Sequence, residues 1–281
     1  MNLKRLLFTL LMLLIAAPSW AHFQMVYTPQ SALTEGGAMN LKLMFTHPFD
    51  GDRMMDLEAV DEFYVIHQRG DDEETRQITD LKDTLQPIRF QGVDESVGKA
   101  FEAQLPPRVV RSLGDYVFVL VPAPYYEKAD DEYIQKFTKV IINVGGIPGN
   151  WFEPLGLPAE IVPLNKPYAN WVGGTFTGVV MSNGEPMPNA ELDIEYLNFD
   201  VDMETNAFVG EAKIVAPHPA FETMTVLTND QGEFTIGLPK AGWWGLAVPD
   251  VVETEHEGKE LVQEAVLWIQ AYHLSVSCII K

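Results

Sequence analysis

Two histidines, His22 and His47, are the residues of this sequence best placed to do chemistry. A short basic segment and a nearly unbroken apolar run over residues 6–16 end in small residues before His22, which is the pattern of a signal peptidase site. Cleavage there would give His22 a free α-amine beside its imidazole, and this nitrogen pair can chelate nickel, cobalt, copper or zinc. The alternative interpretation is that His22 is simply the residue that follows the cut.

His47 is the second candidate ligand, at the point where an alternating strand ends between Thr46 and Pro48. If the N-terminal segment pairs with this strand, His22 and His47 come together and form a metal site. Otherwise the His-Pro step is only a turn with a hydrogen-bonded imidazole. Because metal-binding nitrogens must be deprotonated, we expect the affinity to fall below about pH 6.5, the usual imidazole pKa.

Met25 and His67 are weaker candidates for the same site. A thioether from Met25 would favour Cu(I) or another soft ion, although the alternation of the segment places Met25 in the core. His67 shares the strand face of Phe63 and Val65, which indicates a buried or half-buried ring rather than a ligand.

Nothing in the sequence predicts catalysis. It has no G-x-S-x-G, no H-E-x-x-H and no glycine-rich phosphate loop, and Cys278 is the single cysteine. We therefore expect a protein that is not an enzyme and has no catalytic residues. An N-terminal histidine with a second histidine is also the copper site of polysaccharide monooxygenases, which this chain resembles only in that pair, so copper stays an alternative to nickel and cobalt.

The net charge of the sequence limits the classes of partner that the protein could bind. Residues 1–21 hold two of the 19 basic residues and none of the 40 acidic ones, so a chain starting at His22 would carry a formal charge of −23. Such a field repels nucleic acid and anionic membranes and attracts cations. One cysteine forbids an intramolecular disulfide, which is compatible with export to a bacterial periplasm. We expect a periplasmic protein that does not insert into the membrane after signal cleavage.

We expect β-strands to position His22 and His47, because alternation of apolar and polar residues with a period of two is the dominant pattern in the sequence. Residues 39–46 alternate apolar and mostly polar side chains, and short β-branched and aromatic runs recur between turn-forming clusters. Residues 94–104 read as a loop or short turn. The fold class predicted is all-β, with two β-sandwich domains. The predicted boundaries are a signal peptide at 1–21, an N-terminal domain at 22–144, a Pro/Gly-rich connection at 145–167, a C-terminal domain at 168–273 and a tail at 274–281.

The second half has its own turn signals. Asn183-Gly184 is the strongest two-residue hairpin turn in the sequence. About seven short strands in roughly 100 residues are typical of a small β-sandwich. The adjacent aromatic pair Trp243-Trp244 heads one of these strands, and we interpret it as core rather than as a sugar platform.

Several collinear phrases carry a resemblance to a known family. They are Ala21-His22-Phe23, the stretches 45–49, 151–157, 160–164 and 184–192, Gly242-Trp243-Trp244-Gly245 and Ala265-Val266-Leu267-Trp268. Together they resemble the DUF4198 family, described as periplasmic accessory components of energy-coupling-factor-type nickel and cobalt uptake transporters. The half from Gly174 on is similar to transthyretin-like or carboxypeptidase-regulatory-like sandwiches with an Ig-like Greek key.

The resemblance and the histidines together predict a periplasmic nickel- or cobalt-binding or delivery protein that serves an ABC-type metal uptake transporter. Its partners would be the metal ion, Ni²⁺ or Co²⁺ with Cu²⁺ as an alternative, and the membrane subunits of that transporter. The alternative function is a non-catalytic β-sandwich interaction module that binds a membrane partner or a glycan. We assign no function to the tail or to Cys278.

Overall fold

The computed structural model describes residues 22–274. The predicted signal peptide at 1–21, residues 275–281 of the predicted tail and Cys278 lie outside the described residues. The described chain is built of strands, has no α-helix, and contains no helix long and apolar enough to cross a membrane. Two short 3-10 helices lie at Lys82–Thr84 and Pro219–Phe221.

The strands, in chain order, are β1 Phe23–Tyr27, β2 Ala32–Leu33, β3 Gly37–His47, β4 Asp52–Met55, β5 Val60–Arg69, β6 Asp72–Asp80, β7 Leu85–Gln91, β8 Val97–Val110, β9 Gly114–Pro122, β10 Tyr125–Glu127, β11 Glu132–Val144, β12 Ala159–Pro163, β13 Asn170–Trp171, β14 Thr175–Ser182, β15 Glu185–Pro186, β16 Glu191–Tyr196, β17 Asp200–Asp202, β18 Ala207–Val209, β19 Met224–Leu227, β20 Glu233–Gly237, β21 Gly242–His256 and β22 Lys259–Tyr272.

These strands form three layers. A 7-stranded sheet containing β1, β3 and β8 packs on one face of an 11-stranded central sheet, and a 4-stranded sheet containing β14 and β20 packs on the other. Each interface is a separate hydrophobic cluster, which we call core 1 (the side of the 7-stranded sheet) and core 2 (the side of the 4-stranded sheet). The fold is therefore an all-β sandwich architecture, as the sequence predicted.

The central sheet is apolar on both faces, and side-chain alternation distributes its residues between the two cores. Trp243 lies in core 1 and Trp244 in core 2, so both indoles are core residues. On β9, Phe118 faces core 1 and Val119 faces core 2. Strands covered on both faces read as continuous apolar runs, which is the pattern of residues 116–121.

The two halves of the chain share this central sheet. Strand β11 of the first half pairs in parallel with β22 of the second, with Tyr133 opposite Leu261 and Val140 opposite Trp268. Both halves therefore contribute strands to one central sheet. The predicted boundaries at 144 and 168 stay predictions, since a pairing pattern alone does not define folding units.

Local turn chemistry explains one success and one failure of the sequence prediction. Asn183 and Gly184 both have positive φ, of 49° and 83°, and connect Ser182 to Glu185 in a two-residue hairpin as expected. The prediction of a loop at 94–104 was wrong from Val97 on, because β8 begins there and pairs with β3 and β7.

The Pro/Gly-rich connection is ordered and packs on core 2. Trp151 and Leu155 are partly buried against that core, whereas Phe152 is exposed. Within the connection β12 pairs with β14, so this Pro-rich stretch contains a strand that the sequence did not reveal. The buried carboxylate of Glu160 accepts hydrogen bonds from the backbone N–H groups of Leu155 and Gly156 at 2.9 and 3.1 Å, which fixes the loop before β12.

Candidate functional site

The candidate site lies where β1 begins and β3 ends. These strands pair antiparallel with Phe23 opposite Thr46 and Gln24 opposite Phe45, so the residue before Phe23 falls opposite His47. The two imidazoles meet there, with ring centroids 4.3 Å apart and planes at 51°. The structure therefore brings His22 and His47 together through the strand pairing that one interpretation of the sequence required.

Burial holds both rings in place. His47 is only 3% exposed, and His22 is half-buried with the ring of Phe45 packed edge-on against it at 5.8 Å. After His47 the chain turns through Gly51, whose N–H donates to the His47 carbonyl at 2.8 Å and whose φ is +63°. A Cβ at Gly51 would lie 2.5 Å from the Phe199 ring, so this turn requires glycine.

Both imidazoles are held in the neutral form. Burial first, then His47 and the cations Lys136 and Arg53, lowers the pKa of His22 to about 3. Burial and Arg53 lower the pKa of His47 to about 4, with Asp52 acting in the opposite direction. Neutral imidazole is the form that ligates metals. With these lowered pKa values, neither ring has to release a proton at neutral pH before it can bind a metal ion.

The ligand set is incomplete without the chain terminus. Across residues 22–274 no group of three or more His, Cys, Asp or Glu side chains is arranged to hold a metal ion. Two imidazoles alone make a weak site, and the missing donor that the chemistry of His22 can add is its own α-amine. The residues present therefore fit a transition-metal ion when the chain begins at His22, with nitrogen donors throughout.

The other two predicted ligands do not join this pair. Met25 has no exposed surface and lies in core 1, on the opposite face of β1 from His22 because the two are three positions apart. His67 lies on β5 in the central sheet, where its ring stacks on Tyr116 at 4.4 Å and its Nε2–H donates to the Leu113 carbonyl at 3.2 Å. His67 is half-buried, as its strand parity predicted.

A cavity of about 400 Å³ adjoins the histidine pair on the same face of β1 and β3. Its lining includes Gln24 and Phe45, the cross-strand pair next to the histidines, together with Tyr125, Met55 and Lys136. The centroids of the Phe45 and Tyr125 rings are 5.4 Å apart. The Lys136 ammonium lies 5.8 Å from the centroid of the Phe45 ring.

Sequence reasoning missed two cationic neighbours of the histidines, one distant in the chain and one close to His47. Lys136 on β11 forms a buried ion pair with Glu264 on β22, its parallel partner in the register. Arg53 follows the turn after His47 and pairs with Asp52 at 3.3 Å. The approach of Lys136 depends on a pairing between strands far apart in the chain, and no local signal in the sequence indicates it.

A carboxylic acid lies behind the turn that carries His47. Glu195 is buried; its Oε2 accepts from the Phe49 N–H at 3.2 Å and its Oε1 from the Thr223 hydroxyl at 2.6 Å. Burial raises the pKa of Glu195 to about 8, helped by Asp50 and Asp193. Glu195 is therefore mostly protonated at neutral pH and adds little negative charge behind the histidine turn.

Comparisons with known proteins identify one family. The family model described as "Domain of unknown function (DUF4198)" matches residues 19–249, a stretch that begins just before His22 and ends inside β21. No curated protein matches the sequence.

Some solved structures show distant likeness. The D0-D1 domain of Intimin is 10% identical, with 89% of this chain and 100% of that chain covered and a TM-score of 0.21. Escherichia coli alpha-2-macroglobulin activated by porcine elastase is 9% identical, with 90% and 20% covered and a TM-score of 0.19. The fibronectin(III)-like modules of Clostridium thermocellum CbhA are 8% identical, with 90% and 100% covered and a TM-score of 0.17. At these scores the likeness carries no conclusion about function.

Proposed function

The chain belongs to the DUF4198 family, and from that premise we propose that it is a periplasmic protein that binds a divalent transition-metal ion, nickel or cobalt, through His22 and His47. It delivers this ion to an ABC-type uptake transporter and catalyses no reaction. The metal is cargo, and its site is completed by signal cleavage.

The contact between the two imidazoles is the observation that carries the proposal. Their centroids are 4.3 Å apart at the ends of paired strands, and both pKa values are lowered, which favours the neutral imidazole that ligates metals. The matched stretch of the family model starts at residue 19, which places the predicted cleavage point inside the family's shared sequence. The formal charge of −23 expected after cleavage favours the approach of a cation.

Binding through these groups has a defined proton balance. Because both ring pKa values are lowered, protonation of the imidazoles does not weaken metal binding near pH 6.5, whereas imidazoles with an ordinary pKa would do so. The α-amine, with a usual pKa of about 7.7–8.0, must still lose its proton. Affinity should therefore weaken as the pH falls below about 8.

The donor set accepts several ions. Imidazole and amine nitrogens bind Co²⁺, Ni²⁺ and Cu²⁺, and affinity rises in that order at almost any such site. Copper would therefore bind most tightly in a direct competition. The choice of nickel or cobalt as cargo follows from the role described for the family and from which ion the cell supplies.

Calorimetric titration of the protein starting at His22 with Ni²⁺ tests the proposal. We expect one ion per chain, and a loss of affinity of about tenfold or more, about 1.4 kcal/mol, when one alanine is added before His22. The added residue converts the amine into an amide and removes the chelate ring. His47→Ala should cause a comparable loss, because it removes the second imidazole.

The matched control is His218→Ala, since His218 is exposed and serves as N-cap of the 3-10 helix at Pro219–Phe221. Its affinity for Ni²⁺ should equal that of the unsubstituted protein. Equal affinity of the alanine-extended and native forms would exclude the amine from the site and remove the basis of the proposal.

A further inference from the structure

An exposed loop lies beside the histidine turn. This loop, residues 214–223, is fixed at both ends to the C-terminal end of β16 and the residues just after it. The Ile214 N–H donates to Asn198 Oδ1 at 2.7 Å, and the Thr223 hydroxyl donates to Glu195 Oε1 at 2.6 Å. Its anchors are only three positions apart in the chain. The 214–223 loop is therefore a compact and defined surface.

The same two anchors hold the turn that carries His47. Asn198 Nδ2 donates to the Phe49 carbonyl at 3.0 Å, and the Phe49 N–H donates to Glu195 Oε2 at 3.2 Å. Phe49 is two residues after His47. One pair of buried side chains thus joins the 214–223 loop to the candidate metal site.

The loop presents apolar side chains to solvent. Val215 is 85% exposed and Phe221 is 61% exposed, and Met224, the first residue of β19, is 40% exposed. Single exposed apolar residues are ordinary on protein surfaces. Two such residues on the loop and a third directly after it, close to the candidate site, are a reason to look for a protein that covers this surface.

The charges around the 214–223 loop indicate which kind of partner could bind there. Glu222 on the loop interacts unfavourably with Asp50 and Asp52 of the turn after His47, and of the groups it faces there only Arg53 and His218 act in the opposite direction. The three carboxylates of Glu222, Asp50 and Asp52 thus outnumber the one arginine near them, on a chain that would carry −23 after cleavage. This charge disfavours a second copy of the chain and an anionic lipid surface, and it complements a basic protein surface.

We propose that the 214–223 loop is the docking surface for a protein partner that surrounds an apolar socket for Phe221 with Lys and Arg residues. The loop is joined through Glu195 and Asn198 to the turn that follows His47, so the partner would receive the metal across this contact. Only that last role rests on the proposed function; the docking surface does not require it.

Photo-crosslinking in intact cells tests the surface. A photoreactive phenylalanine analogue replaces Phe221 in the full-length protein, expressed in the cells in which it occurs, and crosslinked peptides are sequenced by mass spectrometry. We expect adducts to one other protein, in a segment where basic residues flank apolar ones. Glu222→Gln should reduce the adduct yield by about threefold or more, since it removes one complementary charge.

The matched control places the same analogue at Ile78, which is 66% exposed on β6 at the opposite edge of the central sheet from β19. Equal yields at positions 78 and 221, adducts only to a second copy or to lipid, or no adduct at 221 would each overturn the proposal. Repeating the experiment with His47→Ala separates the two claims. If the His47→Ala protein loses nickel binding but still forms the crosslinks, docking and metal binding are independent properties. If the unsubstituted protein forms the crosslinks but binds no metal, the docking surface is supported and only the proposed function is contradicted.

Discussion

The histidine pair combines a property visible in the sequence with one that only packing creates. The position of His22 after a cleavage signal and of His47 at a strand end could be read directly, and the pairing of β1 with β3 was one of two interpretations. The depressed pKa values could not be predicted, because they arise first from burial and, for His22, also from Lys136 on a strand distant in the chain. Local sequence carries no record of either.

The pKa of His47 predicts an acid sensitivity of the metal-free protein. An imidazole with an ordinary pKa near 6.5 when unfolded and about 4 when folded binds more protons in the unfolded state. Its contribution to stability is complete above pH 6.5 and is lost as the pH falls towards 4. Between pH 7 and pH 5 the unfolding free energy of both proteins should fall. We expect the fall to be about 1 kcal/mol smaller for His47→Gln than for the native protein, after allowance for solvent screening.

Urea denaturation at the two pH values, with chelator present, measures this difference. His218→Gln serves as the control, since it removes a histidine from an exposed position and should follow the native pH dependence. Identical pH dependence of the native protein and His47→Gln would show that the folded pKa of His47 is not depressed.

At the scale of elements, predictability follows the range of the interactions. The hairpin at Asn183-Gly184 was predicted because the turn residues themselves require positive φ. Strand β8 was partly missed because Gly98, Ala100 and Ala103, which have low strand propensity, interrupt its few β-branched and aromatic residues. Its strand conformation is imposed by the neighbours β3 and β7 on either side.

A buried ion pair between elements gives a prediction at this scale. Lys139 on β11 donates to Glu160 on β12 at 2.6 Å, and both side chains are buried. Lys139→Met would leave the Glu160 carboxylate without its cation and should destabilise the protein by about 3–5 kcal/mol. Adding Glu160→Gln should recover most of this loss, because glutamine still offers an acceptor to the Leu155 and Gly156 amides.

Chemical denaturation of the two single variants and the double variant forms the cycle. The control is Lys99→Met, which removes a cation from the exposed pair with Glu58 and should change stability little. Additive losses in the double variant would mean that the charges of Lys139 and Glu160 do not stabilise each other.

At the scale of the whole molecule, the all-β class and most of its strands were predictable, but the three-layer arrangement was not. Period-two patterns identify strands without identifying their partners. The parallel pairing of β11 with β22 joins segments more than a hundred residues apart, and through it both halves of the chain contribute to one central sheet. Pairing at such separation leaves no signature in either segment.

The shared sheet predicts that the molecule unfolds as one unit. Leu43 in core 1 and Leu267 in core 2 are both fully buried, and each leucine-to-alanine change should cost about 2–5 kcal/mol. Scanning calorimetry should show a single transition that both substitutions move to lower temperature. Two resolved transitions, each sensitive to only one substitution, would instead indicate halves that fold independently.

Because the register opposes His22 to His47, the proposed metal binding would depend on which peptide bond is cleaved. Cutting one residue later would remove the imidazole and leave Phe23, a side chain with no exposed surface, as the new end. Both core clusters would be untouched, because Phe23 still anchors β1 against Trp268. Two proteoforms of one gene would then share both core clusters and differ in whether they carry the proposed ligand pair.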